Sequence, residues 1–120
     1  MEIKLKRAYE LPEKTDGYRV LVDRLWPRGV SKKIAKINLW DKNITPSTNL
    51  RRWFGHDPER WPQFREDYLG ELENNPRGVA DFLRQISPHQ VVTLVYAAKD
   101  KAHTHALVLK DFLEERLNRS

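Results

Sequence analysis

None of the 120 residues is cysteine, which removes disulfides, thiol nucleophiles and cysteine-ligated zinc from consideration. There is no run of roughly 18 apolar residues that would span a membrane. The opening MEIKLKRAYE alternates polar and apolar residues instead of forming a signal-peptide core. A soluble protein of the cytoplasm with no membrane partner is the expectation. The fingerprints GxGxxG, GxxxxGK[ST] and GxSxG are missing, as are HExxH, EF-hand and Cys/His metal spacings. No metal and no other cofactor is therefore expected. RNP, KH and zinc-finger patterns are missing too. With no repeat, low-complexity tract or linker, residues 1–120 read as one domain.

What is present is positive charge, unevenly placed. The net charge is +5. Residues 1–60 hold 14 Lys/Arg against 8 Asp/Glu, and residues 61–120 hold 8 against 9. The excess lies in the half that contains YRVLVDRLWPRG, residues 18–29. Residues 18–22 are a short β-branched apolar run of the kind buried on both faces of a sheet. Asp23, Arg24, Trp26 and Arg28 follow at once, in a turn restricted by Pro27 and Gly29.

The remaining elements follow from period and punctuation. Ile3 and Leu5 alternate with charged residues, as in an edge strand with one wet face. Ser31 caps a basic helical turn, KKIAK, and residues 37–40 read as a short third strand. Thr45-Pro46-Ser47 opens a helix carrying Leu50, Trp53 and Phe54 on its buried face, and Gly55 closes it. Asp57-Pro58-Glu59 starts a helix with Trp61, Phe64, Tyr68 and Leu72 along one side. Asn74-Asn75-Pro76 restarts the chain into a helix burying Val79, Phe82, Leu83 and Ile86. Residues 91–98, VVTLVYAA, form the most apolar stretch and read as a central strand. A last helix over about residues 101–117 buries Ala106, Leu109, Phe112, Leu113 and Leu117. The sum is a compact three-layer α/β domain, with a small, mainly parallel β-sheet flanked by helices.

If the strands at 18–22 and 91–98 are parallel, the loops after them open on the same side of the sheet, where α/β proteins bind ligands. Asp23, Arg24 and Arg28 then face Lys99, Asp100 and His103, beside the positive end of the last helix. Arginine suits bidentate contact with phosphate or carboxylate, and lysine supplies a point charge. In this reading Arg24, Arg28 and Lys99 bind an anion, with one guanidinium held by Asp23 or Asp100. Asp23, Asp100 and His103 are the candidate proton-transfer residues. The plainer alternative is that Asp23 pairs with an arginine and Asp100 caps the helix. Arg51, Arg52 and His56 form a second basic cluster in LRRWFGH, and its two arginines add to the anion-binding candidates. Trp26 either stacks a base or sugar or packs beneath its loop.

The segments VDRLWPRG, PSTNLRRWFGHDPERWPQF and TLVYAAKD with its following histidine together resemble the YeaO-like family of small bacterial proteins of unknown function. The likeness runs from the first strand to the last helix. It implies a single-domain α/β protein and carries over no activity and no catalytic residue. The sequence thus favours binding of a phosphorylated or nucleotide-like anionic small molecule, with chemistry on it left open. The alternative is a non-catalytic nucleic-acid-binding module that uses the basic N-terminal half. Oligomeric state is not legible.

Overall fold

The structure is a computed structural model describing residues 1–119. Four strands form one sheet in the order β1-β4-β2-β3: β1 Glu2–Arg7, β2 Tyr18–Leu21, β3 Leu39–Trp40 and β4 Val91–Tyr96. Every pairing is parallel, with Tyr18 opposite Val92 and Glu2 opposite Val91. The most apolar stretch is therefore central, and the charged, alternating β1 lies at an edge.

Side chains alternate along each strand and so divide between two faces. Ile3, Val20, Val22, Val92, Leu94 and Tyr96 face a thick layer built from α2 (Thr48–Phe54), α3 (Trp61–Glu73), α4 (Pro76–Ile86) and α5 (His105–Asn118). Ala8, Leu21 and Val95 face the other way, covered by the segment that carries Trp26, Val30, Ile37, Trp40 and the single-turn α1 (Lys32–Ala35). The chain thus leaves β2 toward one face and leaves β4 toward the other. Connections that part in this way open a crevice beyond the carboxyl ends of the two strands.

Local chemistry sets the helix ends. Ser31, Ser47, Asn75 and Thr104 each accept a backbone N–H from the first turn of α1, α2, α4 and α5. Pro46 precedes the Ser47 cap and is not a first-turn residue. Asp57 caps a 3₁₀ turn, Pro58–Arg60, which leads into α3. The last helix starts at His105, later than the periodicity suggested, because Thr104 caps it. Asp100, four residues earlier, turns the loop instead: its Oδ1 accepts the N–H groups of Ala102 and His103.

Most of the expected core is buried, with Trp61, Leu83 and Leu117 partly so and Trp53 outside it. Phe64, Tyr68, Phe82 and Phe112 are all buried. Trp53 is 40% exposed, under the guanidinium of Arg60, 5.4 Å from the ring centroid. Tyr68 runs through the core, and its hydroxyl donates to the Ile44 carbonyl at 2.6 Å. Burial raises its pKa well above the usual phenol value, helped by the Glu71 and Asp41 carboxylates.

On the thinly covered face, Asp16 is buried and holds two cations, Arg19 at 2.6 Å and Lys6 at 3.1 Å. Burial alone would raise the Asp16 pKa. The Glu13 N–H, the Lys6 ammonium and the Arg19 guanidinium outweigh it and hold the carboxyl below the usual range. Gly17 beside it has φ +64° and lies against Val91, so any Cβ there would collide with that residue. Among the described residues no helix is long and apolar enough to cross a membrane.

Candidate functional site

Beyond the carboxyl ends of β2 and β4 lies a cleft of about 710 Å³. One wall is the loop from Asp23 to Arg28, the opposite wall runs from Ala97 to His105, and α2 closes a third side with Arg51, Arg52 and Phe54. All nine residues singled out from the sequence line it: Asp23, Arg24, Trp26, Arg28, Arg51, Arg52, Lys99, Asp100 and His103. The volume falls within the range of about 300–1,000 Å³ usual for small-molecule pockets.

Two side chains of β1 and its extension brace the walls. The Arg7 guanidinium donates to the carbonyls of Ala98 at 2.9 Å and Ala97 at 3.1 Å. It also lies 5.2 Å from the centroid of the Tyr9 ring, and the Tyr9 hydroxyl donates to the Arg28 carbonyl at 3.0 Å. The loops after β2 and β4 are therefore both fastened to the edge strand.

Neither carboxylate holds an arginine, contrary to the expectation that Asp23 or Asp100 would hold a guanidinium where the loops converge. Asp23 Oδ2 accepts the backbone N–H of Ala97 at 3.0 Å, and its Oδ1 lies 3.3 Å from Nε2 of His105. Asp100 Oδ2 faces Nδ1 of His103 at 2.8 Å. The imidazole, assisted by the Ala102 and His103 N–H groups, holds the Asp100 carboxyl below the usual carboxylate range despite partial burial. In the neutral ring, Nδ1–H donating to Asp100 leaves Nε2 of His103 as an acceptor. The ring stands edge-on to Trp61, with centroids 5.5 Å apart.

The five cations differ in setting. Arg28, Arg52 and Lys99 are exposed on the rim, whereas Arg24 and Arg51 are half-buried. Arg24 makes one long contact, Nη2 to the Pro46 carbonyl at 3.4 Å. Four buried side-chain polar atoms among the described residues lack a protein hydrogen-bond partner. Three belong to this cleft: Arg24 Nε, Arg51 Nε and Asp23 Oδ1.

Trp26 packs beneath its loop. Its indole N–H donates to the Val30 carbonyl at 2.7 Å, and its ring meets Trp40 edge-on at 5.5 Å, over the second apolar cluster. Trp26 also lines the cleft. Phe54 and Phe64 read from the sequence only as core; stacked with centroids 4.3 Å apart, they also line the apolar side of the cleft. His105 is not legible as a cleft residue from the periodicity, which places it inside a helix that starts at about residue 101. Thr104, a capping residue directly before the apolar period of α5, was the signal for the true start. His56 also lines the cleft, with φ +59° directly after Gly55 at +52°. Two successive left-handed residues reverse the chain sharply between α2 and α3. No group of three or more His, Asp or Glu side chains among the described residues is placed to hold a metal ion.

Comparison with known proteins places the chain among bacterial relatives. Residues 2–120 match the family model described as the inactive DUF488-N3 subclade. The uncharacterized protein YeaO of Escherichia coli K12 is 47% identical over 116 residues, covering 94% of this chain and 97% of that protein. The uncharacterized protein Rv3073c of Mycobacterium tuberculosis is 40% identical over 114 residues, covering 95% of each. No solved structure matches the chain.

Proposed function

The chain belongs to the inactive DUF488-N3 subclade, and from that premise we propose that it binds, without covalent chemistry, a phosphorylated or nucleotide-like anionic small molecule in the cleft beyond β2 and β4. The observation that carries this reading is the pair Arg24 Nε and Arg51 Nε, two buried guanidinium donors with no partner in the protein. A buried donor left unpaired is costly, and more so when it is charged. An anion between these groups removes that cost and gains charge-assisted hydrogen bonds.

Binding is favoured over catalysis by what accompanies the base. The Asp100–His103 pair is arranged like the orienting half of a nucleophilic site. Yet the cleft presents no cysteine or serine, and its one hydroxyl, Thr104, is buried and spent on capping α5. The family's description as inactive agrees with an Asp100–His103 pair that has no nucleophile to serve.

The alternative, a nucleic-acid module, rests on the exposed Arg28, Arg52 and Lys99 together with the basic turn at Lys32, Lys33 and Lys36. A concave cluster with two sheltered guanidinium groups favours the small ligand, whereas strand binding uses a groove that tracks many phosphates. Calorimetric titration with adenosine 5′-monophosphate tests the reading. Wild type should bind with modest salt dependence, and Arg24→Ala/Arg51→Ala should lose binding while keeping its melting temperature. Binding by the double variant at wild-type affinity would contradict it. So would preference for long single strands with a steep salt slope.

A further inference from the structure

We propose that the cleft selects anions that also carry a hydrogen-bond donor, an N–H or O–H, and that Asp23 is the residue that reads it. The inference rests on the anion-binding reading above and adds the chemical class of the ligand.

Asp23 is held rigidly by its own backbone and by one of its oxygens. Its carbonyl accepts the Trp40 indole N–H at 2.7 Å, and Oδ2 accepts the Ala97 N–H at 3.0 Å. The first bond anchors the backbone of the residue and the second engages Oδ2, so that Oδ1 is the carboxylate oxygen left over. Oδ1 is buried and takes no hydrogen bond. The donor nearest to it is Nε2 of His105 at 3.3 Å, but that nitrogen lies 2.7 Å from the Val22 carbonyl. A carbonyl can only accept, so Nε2 carries a proton and gives it to Val22.

Asp23 Oδ1 is thus an acceptor without a donor, in a cleft that also holds two donors without an acceptor, on Arg24 and Arg51. The protein does not let them satisfy one another, since neither arginine reaches Asp23 within ion-pair distance. A ligand with an acceptor end and a donor end resolves all three. A donor-free anion satisfies the arginines and leaves Oδ1 unpaired beside new negative charge. Sites built to hydrogen-bond a donor reject analogues that lack it more strongly than apolar pockets reject size differences. The class this defines is a phosphate monoester bearing hydroxyl or amino groups, that is, a sugar phosphate or a nucleotide.

The test compares Asp23→Asn with wild type in calorimetric titrations of three probes. Adenosine 5′-monophosphate offers ribose hydroxyls and a base amine, ribose 5-phosphate offers hydroxyls alone, and phenyl phosphate offers an apolar ring with no donor on it. In the variant the amide oxygen must still serve Ala97 N–H, so the NH₂ takes the place of Oδ1 and turns an acceptor into a donor. Affinity for adenosine 5′-monophosphate should fall about tenfold, as loss of a charge-assisted hydrogen bond predicts. Affinity for phenyl phosphate should rise, because a negative charge has left the cleft. A matching fall for ribose 5-phosphate assigns the donor to the sugar, and a fall confined to the nucleotide assigns it to the base. Parallel changes for all three probes, or none, overturn the role of Asp23 while leaving the anion site standing. Failure of wild type to bind any of the three overturns both. Should Asp23→Asn not fold, the wild-type preference decides: phenyl phosphate binding as tightly as the nucleotide contradicts the proposal.

Discussion

Asp23 accepts the backbone N–H of Ala97 across 74 residues of chain, and through that bond the loop after β2 is joined to the loop after β4. The contact exists because the two central strands are parallel and adjacent, so both loops emerge at one end of the sheet. Arg7 on the Ala97 and Ala98 carbonyls and Tyr9 on the Arg28 carbonyl reinforce the same junction. The cleft walls are thereby fixed by backbone contacts, and the cationic side chains remain available to a ligand.

The sheltered arginines should matter more than the exposed ones. Arg24→Ala or Arg51→Ala should weaken a bound nucleotide by about tenfold or more, since each removes charge-assisted hydrogen bonds of roughly 1.5–3 kcal/mol. Arg28→Ala, on the solvent-exposed rim, should cost less and should chiefly reduce salt dependence. Arg24→Lys should restore part of the loss, because an ammonium lacks the planar fork. Equal effects at Arg24 and Arg28 would argue for a diffuse surface charge.

Burial, and not aromatic character, should decide the cost of truncating α2 and α3. Phe64, 1% exposed and stacked on Phe54, should cost about 3–5 kcal/mol as Phe64→Ala. Trp53→Ala, at a residue 40% exposed, should cost well under that. Urea midpoints of the two variants give the comparison, and a reversed order would mean that the packing of α2 is misassigned.

Tyr68→Phe removes one hydroxyl and strands the Ile44 carbonyl in the core. The expected loss is about 1–3 kcal/mol. Wild type should also become less stable as pH rises past the unfolded phenol value, near 10, because only the unfolded chain then releases this proton. A spectrophotometric tyrosine titration should show one phenol that ionises only on unfolding.

Asp16 supplies the acid limb of stability. Its folded pKa lies below the unfolded value, so its contribution is complete above about pH 4 and is lost as pH falls through the folded pKa. Asp16→Asn leaves Arg19 without its carboxylate and should cost about 3–5 kcal/mol at pH 7, as breaking a buried pair does. The gap between variant and wild type should shrink in acid. Urea unfolding at pH 7 and at pH 3 measures both, and a gap that widens in acid would contradict the assignment.

Much of this architecture was legible because local and global signals agree in it. Runs such as VVTLVYAA admit few structures other than a buried strand, and Ser47 and Asn75 announce helix starts through their own side chains. The errors arose where sequence neighbours compete. Leu50, Trp53 and Phe54 share one arc of α2, yet Trp53 lies about 60° from Leu50. In a helix of seven residues that is enough to leave it at the edge, where Arg60 covers it. Asp100 and Thr104 are both competent caps. The choice went to Thr104 because Asp100 already serves His103, a contact that needs the folded loop. Asp23 is followed directly by Arg24 but bonds a backbone N–H from β4's loop, a partner that no local pattern announces. Strand direction alone brought Arg24 and Arg28 to face Lys99, whereas the place of Arg51 and Arg52 in the same cleft depends on how α2 packs.

The central claim is that the two loops form one anion site, and backbone amide NMR tests it most directly. On titration of ¹⁵N-labelled protein with adenosine 5′-monophosphate, amides in residues 23–28 and 97–105 should shift together along one saturation curve, with the Arg24 and Arg51 side-chain Nε–H signals moving with them. Shifts spread over the basic residues of α1 and the outer surface, with the two loops silent, would contradict it.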